Sequence, residues 1–457
     1  MHKTAVLNVV GLTPDLIGEH TPFLSEWTGS GRMTPVKSVL PAVTCSAQAT
    51  YLTGEMPDKH GIVANGWYFR EMDEIKFWRQ SNKLIEAPKI WERLKAENPD
   101  FTCANLFWWY NMNSTVDYLI TPRPIYRADG VKIPDILTKP IEFRDELQDV
   151  LGQFPLFNFW GPNTKIESSS WIAESAKITA EKYDPTLTLV YLPHLDYNLQ
   201  RIGPDHPGIK IDLNEIDSVC RELIEFYEMR GTRVILLSEY GIEPVSRPVS
   251  LNRVLREKGY VTVREEMGGE ILIPGSSRAF AVADHQLAHI YIRNESDIEP
   301  VKKILEDVAG VESVLDDEGK KANKLNHPRS GELVAVASPD AWFTYYYWLD
   351  DRKAPDFAPT VDIHTKPGYD PAELLIDPRI KFPKLKAGFR LLQKKLGFRY
   401  TMDLIPINGE GIRGSHGRLA SSDLAGPMIS TRQTDFLPDR PMEPTRVYDV
   451  IYNHLTK

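Results

Sequence analysis

Cysteine is nearly absent: Cys45, Cys103 and Cys220 are the only three in 457 residues. An odd and sparse set cannot build a disulfide framework, which points to a reducing compartment. Long hydrophobic runs are missing as well. No stretch approaches the roughly 18 consecutive apolar residues of a membrane span, so no membrane partner is expected. The run from Ala5 to Val10 is too short for the apolar part of a signal peptide and contains Asn8. It leads straight into Gly11, Thr13, Pro14 and Asp15, and reads as the first core strand of a cytoplasmic protein. Positive charge is in deficit, with 54 Lys and Arg against 63 Asp and Glu, a formal charge of −9. A nucleic-acid surface needs a dense basic patch and none is evident, so that class is set aside. A small phosphorylated substrate held by metal and backbone groups is still compatible with this charge. The sequence has no repeats and no low-complexity tail, and nothing in it sets the oligomeric state.

With 42% hydrophobic residues, the chain can bury at least one large core, and its length allows two or three domains or one α/β core with insertions. Short apolar runs at Ala5 to Val10, Phe101 to Trp109, Leu187 to Leu192 and Val234 to Ser238 predict buried parallel strands. Asp217 to Met229 predicts a helix. Several of these strands run directly into polar residues, and open α/β sheets place their sites outside the carboxyl ends of strands. Residues 1–246 are therefore expected to form the first part of a catalytic α/β core. Residues 247–326 change character, with short strands around a helix from Ile298 to Val308, and predict a small inserted α+β lobe. Gly331 to Val336 is expected to resume a core strand within a second core part, 327–457. The Pro-rich, basic segment 366–395 reads as a surface excursion.

One stretch is unusually informative. Leu40-Pro41-Ala42-Val43-Thr44-Cys45-Ser46-Ala47 is followed by Thr53-Gly54-Glu55-Met56-Pro57-Asp58-Lys59-His60-Gly61. It resembles the nucleophile segment of the alkaline phosphatase superfamily, in the branch of nucleotide pyrophosphatases, type I phosphodiesterases and phosphonoacetate hydrolases. The resemblance implies a mostly parallel central sheet with helices on both faces. It also implies that Thr44, at a helix start, is the nucleophile and a metal ligand. A Thr hydroxyl needs a metal or base to activate it, and a helix start offers backbone N–H groups to phosphate. Three later blocks match in order. Asp196 stands where the family has a metal-binding Asp, but the His four residues on is Gln200. Ser238-Glu239-Tyr240-Gly241 stands for Ser-Asp-His-Gly, whose Asp and His bind the second metal. His416, in Gly414-Ser415-His416-Gly417, matches the last metal-binding His. At the end of the first strand Val10 replaces a metal-supporting Asp, and Ala47 replaces an Asn that helps hold phosphoryl oxygens.

Replacing two imidazoles and one carboxylate weakens a two-metal clamp, the second site most of all. One divalent ion (Zn, Mn or Mg) is therefore expected rather than two, on Asp196, His416, Glu239 and Thr44. His364 is a further ligand candidate, because Asp362-Ile363-His364 would put both side chains on one face of an extended strand. His194, two before Asp196, has the same arrangement. Substrate contacts are expected from Asn65, Trp67, Tyr68, Gln200, Tyr240 and Arg329. The leading expectation is metal-dependent hydrolysis of a phosphodiester or pyrophosphate-type bond through a Thr44 phosphoryl intermediate. Phosphomonoester or phosphonate hydrolysis, phosphoryl transfer, and a non-catalytic binding protein on the same fold are the alternatives.

Overall fold

The computed structural model describes residues 1–128 and 131–457. Seven strands of the central sheet come early in the chain: Thr4–Val9 (β1), Arg32–Pro35 (β2), Cys103–Leu106 (β3), Tyr118–Pro122 (β4), Ile136–Lys139 (β5), Leu187–Leu192 (β6) and Arg233–Leu237 (β7). Four more belong to a second sheet: Ala279–Asp284 (β8), Leu287–Ile292 (β9), Val311–Leu315 (β10) and Leu333–Ala337 (β11). Met428–Thr431 (β12) then returns to the first. The central sheet runs β2-β12-β7-β1-β6-β3-β4-β5. Its five middle strands are parallel; β5 and β12 run antiparallel to them, and β2, beyond β12, returns to their direction. β1 and β6 are buried at every position, which explains their near-continuous apolar sequences. Six helices matter for the site and surface: Thr44–Thr53 (α1), Glu167–Tyr183 (α2), His194–Arg201 (α3), Ile209–Met229 (α4), Pro383–Lys395 (α5) and Arg446–Thr456 (α6). α2 and α4 pack together beside the sheet, and α6 packs on α1 and β1.

Register brings the functional segments to one edge. Asn8 of β1 lies opposite Tyr191 of β6 and Leu237 of β7, so Val10-Gly11, Pro193-His194 and Ser238-Glu239 leave the sheet side by side. α1 is buried along its whole length, because it forms a wall between two cores. Ala47 and Tyr51 face the central-sheet core, while Cys45 and Ala49 face the core of the second sheet. These pairs are four residues apart, the spacing that shares a helix face.

The lobe extends further than the sequence implies. β11 does not resume the central sheet: it pairs with β9 and β10, because a five-residue apolar run says nothing about which sheet it joins. The segment 366–395 also divides in two. Lys366, Tyr369, Ala372 and Leu374 are buried, and Lys366 Nζ lies 2.7 Å from Asp370 and 2.8 Å from Glu373. Beyond Leu375 the segment turns to the surface, with Ile376, Pro378 and Arg379 exposed, and continues as α5.

Removing one partner of a buried ion group costs about 3–5 kcal/mol. Lys366→Ala is expected to lower stability in urea by about that much, and Lys366→Met combined with Asp370→Asn and Glu373→Gln to recover most of it. Equal denaturation midpoints for wild type and Lys366→Ala would contradict the assignment.

Candidate active site

Thr44 is the first residue of α1, after an extended Val43. Its Oγ1 lies 3.1 Å from Tyr240 Oη, and Tyr240 donates its own proton to Asp196 Oδ1, also at 3.1 Å. A phenol has one proton, so Thr44 is the donor to Tyr240. Asp196 projects from α3, and Gln200, one turn on, donates through Nε2 to Asp196 Oδ2 at 2.7 Å. Gln200 Oε1 accepts from Tyr369 Oη at 3.0 Å. Glu239 follows β7; its Oε1 accepts from Asn8 Nδ2 and Gln48 Nε2, while Oε2 has no hydrogen-bond partner among the described residues.

His416 sits on a loop that only glycine permits. A Cβ at Gly414 would fall 2.1 Å from Leu199 O, and Gly417 has φ +118° with Gln286 N at 2.9 Å from the Cβ position. The Nδ1–H of His416 donates to Ala42 O at 2.7 Å. Its Nε2 then carries a lone pair, lacks a hydrogen-bond partner among the described residues, and faces Asp196 Oδ1 at 3.8 Å.

The second sheet supplies the other half of the site. β8 and β9 pair Asp284 with Leu287, so His285 and Gln286 form a two-residue turn, with His285 at φ +60°. Gln286 N donates to His416 O at 2.9 Å. The His285 ring lies 3.7 Å from that of His416 and 3.6 Å from that of Tyr369, and His416 stacks on Tyr240 at 3.7 Å. Four rings from four chain segments thus form one column. Asp284 accepts from Asn65 N (2.7 Å) and Asn65 Nδ2 (3.2 Å) and pairs with His285 Nδ1 at 2.7 Å.

Burial dominates the electrostatics. It pushes Asp196 up to about 7 although Tyr240 and Gln200 donate to it. It pushes Glu239 up to about 8 against the donors Gln48 and Asn8, and Asp284 up to about 6. Burial also holds His285 and His416 well below the usual imidazole range, so both are neutral.

The donors on the Asp196 side suit a divalent ion. His416 Nε2, without a hydrogen-bond partner among the described residues, and Asp196 Oδ1, which accepts from Tyr240, lie 3.8 Å apart, close enough for both to reach one cation at ligand bonds of about 2 Å each. On the other side Val10 offers no ligand, Oε1 of Glu239 is held by two amides, and the Tyr240 phenol fills the gap between Thr44 and Asp196. Burial of a neutral phenol there leaves Glu239 Oε2 as the unpartnered carboxylate oxygen on that side among the described residues.

Thr44, Asp196, Gln200, Glu239, Tyr240 and His416 are thus brought together. Others are not. His364 is exposed in a turn, its ring 6.5 Å from that of Tyr126; residues 362–364 form no strand, so the shared-face expectation fails. His194 begins a helix, where a two-residue step turns the side chain away from Asp196. Its Nε2 lies 3.2 Å from Asp212 and 3.1 Å from Glu215, and these three form a His/Asp/Glu cluster capable of holding a divalent ion. Arg329 is no anion clamp, because its guanidinium is spent on Gly61 O, Leu84 O and Glu86 and lies over Trp67. Trp67 and Tyr68 are core residues of the lobe rather than substrate contacts. Asn65 anchors the start of α1, its Oδ1 accepting from Cys45 N at 3.0 Å. Sequence reasoning missed Asn8, Gln48, Asp284, His285 and Tyr369. The polar break at Asn8 inside an apolar strand and the acid ending β8 were the available signals.

The family profile described as Type I phosphodiesterase / nucleotide pyrophosphatase matches residues 4–370. The chain belongs to this family. That agrees with the superfamily resemblance of its motifs. It is 28% identical over 250 residues to an uncharacterised pyrophosphatase/phosphodiesterase of Schizosaccharomyces pombe, a match that covers 52% of this chain and 42% of that protein. The matched stretch is therefore less than half of that relative. In fold, it is similar to murine ectonucleotide pyrophosphatase / phosphodiesterase 5, with a TM-score of 0.60 and 15% identity over 99% of this chain and 95% of the other. It is also similar to the phosphonoacetate hydrolase of Sinorhizobium meliloti in complex with phosphonoacetate, with a TM-score of 0.64 and 15% identity over 100% and 95%. Among the described residues no helix is long and apolar enough to cross a membrane.

The raised carboxylates carry a pH signature. Where a folded carboxyl keeps a proton that the unfolded chain has released, stability falls as pH rises. For Glu239 the window runs from about 4.5 to about 8, with a slope of up to about 1.4 kcal/mol per pH unit. Metal-free protein is expected to lose urea stability between pH 5 and pH 8, and Glu239→Gln to flatten that decline. An identical slope in the variant would contradict the burial of an uncompensated carboxyl.

Proposed function

We propose that this protein hydrolyses a phosphodiester or pyrophosphate-type bond in a small phosphorylated substrate, with Thr44 as nucleophile and a single divalent ion on Asp196 and His416. The observation that carries this reading is the chain of contacts from Thr44 Oγ1 to Tyr240 Oη to Asp196 Oδ1, lying beside the unpartnered Nε2 of His416. Attack by Thr44 forms a bond to phosphorus as the bond to the leaving oxygen breaks, and water then releases the phosphoryl group from Thr44. The proton leaving Thr44 has Tyr240 Oη as its acceptor, and Tyr240 passes its own to Asp196. A bound zinc, manganese or magnesium ion supplies positive charge for the phosphoryl oxygens. The half-buried rings of Trp78, Trp109 and Trp160 gather around the site side of Tyr369 and Gln48. They suit a leaving group with a flat apolar surface better than a bare phosphate monoester.

One observation favours the non-catalytic reading: Thr44 is buried, with its hydroxyl already engaged. Metal analysis of protein purified without chelator, with turnover of bis-p-nitrophenyl phosphate, separates the two. One bound ion, lost in His416→Ala, and turnover that drops by at least about 100-fold in Thr44→Ala are expected. Absence of metal with turnover insensitive to Thr44→Ala, after Mn²⁺, Mg²⁺ and Zn²⁺ are each supplied, would leave the binding-protein reading in its place.

A further inference from the structure

Helix α5 is built inside out. Phe382, Leu385, Phe389, Leu392 and Leu396 recur at steps of three and four, the spacing of one helical stripe. In a surface helix that stripe normally faces the core. Here each of the five is between 50% and 71% exposed, and no residue of the helix is buried. Its polar side is what holds it to the body. Lys386 and Arg390, one turn apart, reach Asp403 at 2.8 and 3.0 Å, and Lys386 also donates to Asp403 O at 2.7 Å. The ion pairs fix the helix with its apolar stripe outward.

Charge identifies what the stripe meets. From Lys381 to Arg399 there are seven Lys and Arg and no Asp or Glu, within a chain of net charge −9. This is the dense basic patch that overall composition conceals. Lys384 and Lys395 are exposed along the border of the stripe opposite Lys386 and Arg390, so the apolar face is edged by cations on both sides. A second copy of this chain is a poor partner, because two-fold pairing of the stripe would bring the Lys384 and Lys395 borders together, while Asp403 is already paired with Lys386 and Arg390. A surface apolar beneath and anionic above matches both the stripe and its borders.

We propose that α5 is an interfacial docking helix that seats the protein on an anionic phospholipid bilayer. It lies in the headgroup plane with Phe382, Leu385, Phe389 and Leu392 at the acyl boundary and the lysines against lipid phosphates. The expectation of no membrane partner rested on the lack of a spanning segment, and an interfacial helix needs none. The assignment is independent of the chemistry at Thr44.

Co-sedimentation of the full chain with phosphatidylcholine vesicles, with and without phosphatidylglycerol, tests it. Binding is expected to the phosphatidylglycerol vesicles and to weaken as salt rises. Phe389→Glu with Leu392→Glu is expected to reduce partitioning at least about tenfold, and Lys384→Glu with Lys395→Glu to abolish the preference for anionic lipid. All four positions are surface sites, so unchanged thermal midpoints would show that the fold is kept. Failure to bind either vesicle, or binding indifferent to the Glu variants, would overturn the proposal. So would a vesicle-free dimer, seen by sedimentation velocity and lost in Phe389→Glu with Leu392→Glu, since the stripe would then serve a second copy.

Discussion

Burying a carboxylate away from water costs several kcal/mol unless its oxygens are satisfied, and the way Asp196 is satisfied organises the carboxyl edge of the central sheet. Neither lysine nor arginine reaches it among the described residues. Neutral donors do so instead: Tyr240 from the end of β7 and Gln200 from its own helix. Each is held in turn, Tyr240 by stacking on His416 and Gln200 by the Tyr369 hydroxyl. Tyr369 and His416 then enclose His285. One desolvated side chain thereby ties the sheet, the inserted lobe and the segment before α5 into a single polar network. Such networks are demanding, because each unsatisfied member inside a low-dielectric site carries a full desolvation cost.

That network also explains how this site differs from a two-metal clamp. An aspartate and histidines around two cations neutralise charge with charge. Here Tyr240, Gln200 and Asn8 replace ionic compensation with hydrogen bonds, and burial keeps Glu239 and Asp196 partly protonated near neutral pH. The two arrangements occupy the same space by different physics. A phenol between Thr44 and Asp196 contributes no positive charge, where a histidine or a cation could. The cluster of His194, Asp212 and Glu215 lies on the other face of α3 and has no part in this exchange.

The parallel centre of the sheet was legible because buried strands are written as short apolar runs ended by polar residues, as in β1, β6 and β7. The segments that meet at the site were legible as spaced motifs: the Thr44 helix, the Asp196 block, Glu239-Tyr240 and His416. What stayed hidden depends on tertiary placement. Nothing local tells that β11 joins the lobe sheet, or that a two-residue turn carries His285 across to His416. Asn65, Trp67, Tyr68 and Arg329 looked like site residues because they follow the nucleophile segment or combine charge with aromatic neighbours. Their partners are backbone groups, Asp284, Asp73, Tyr291, Glu86 and one another, contacts that only the folded chain reveals. The pairing of Asp362 with His364 failed for a simpler reason: the shared-face rule holds for strands, and those residues form a turn.

The inserted lobe is therefore not a separable module. α1 is packed by both cores, with Ala47 and Tyr51 on one side and Cys45 and Ala49 on the other, and Thr44 sits at its start. Whatever free energy holds the second sheet closed is also the free energy that holds Thr44 in place. A substitution deep in β8 or β9, far from any phosphate, acts on Thr44 through a shared wall and not through a chain of individual contacts. Cooperativity of unfolding and positioning of the Thr44 hydroxyl are, in this architecture, two readouts of the same packing.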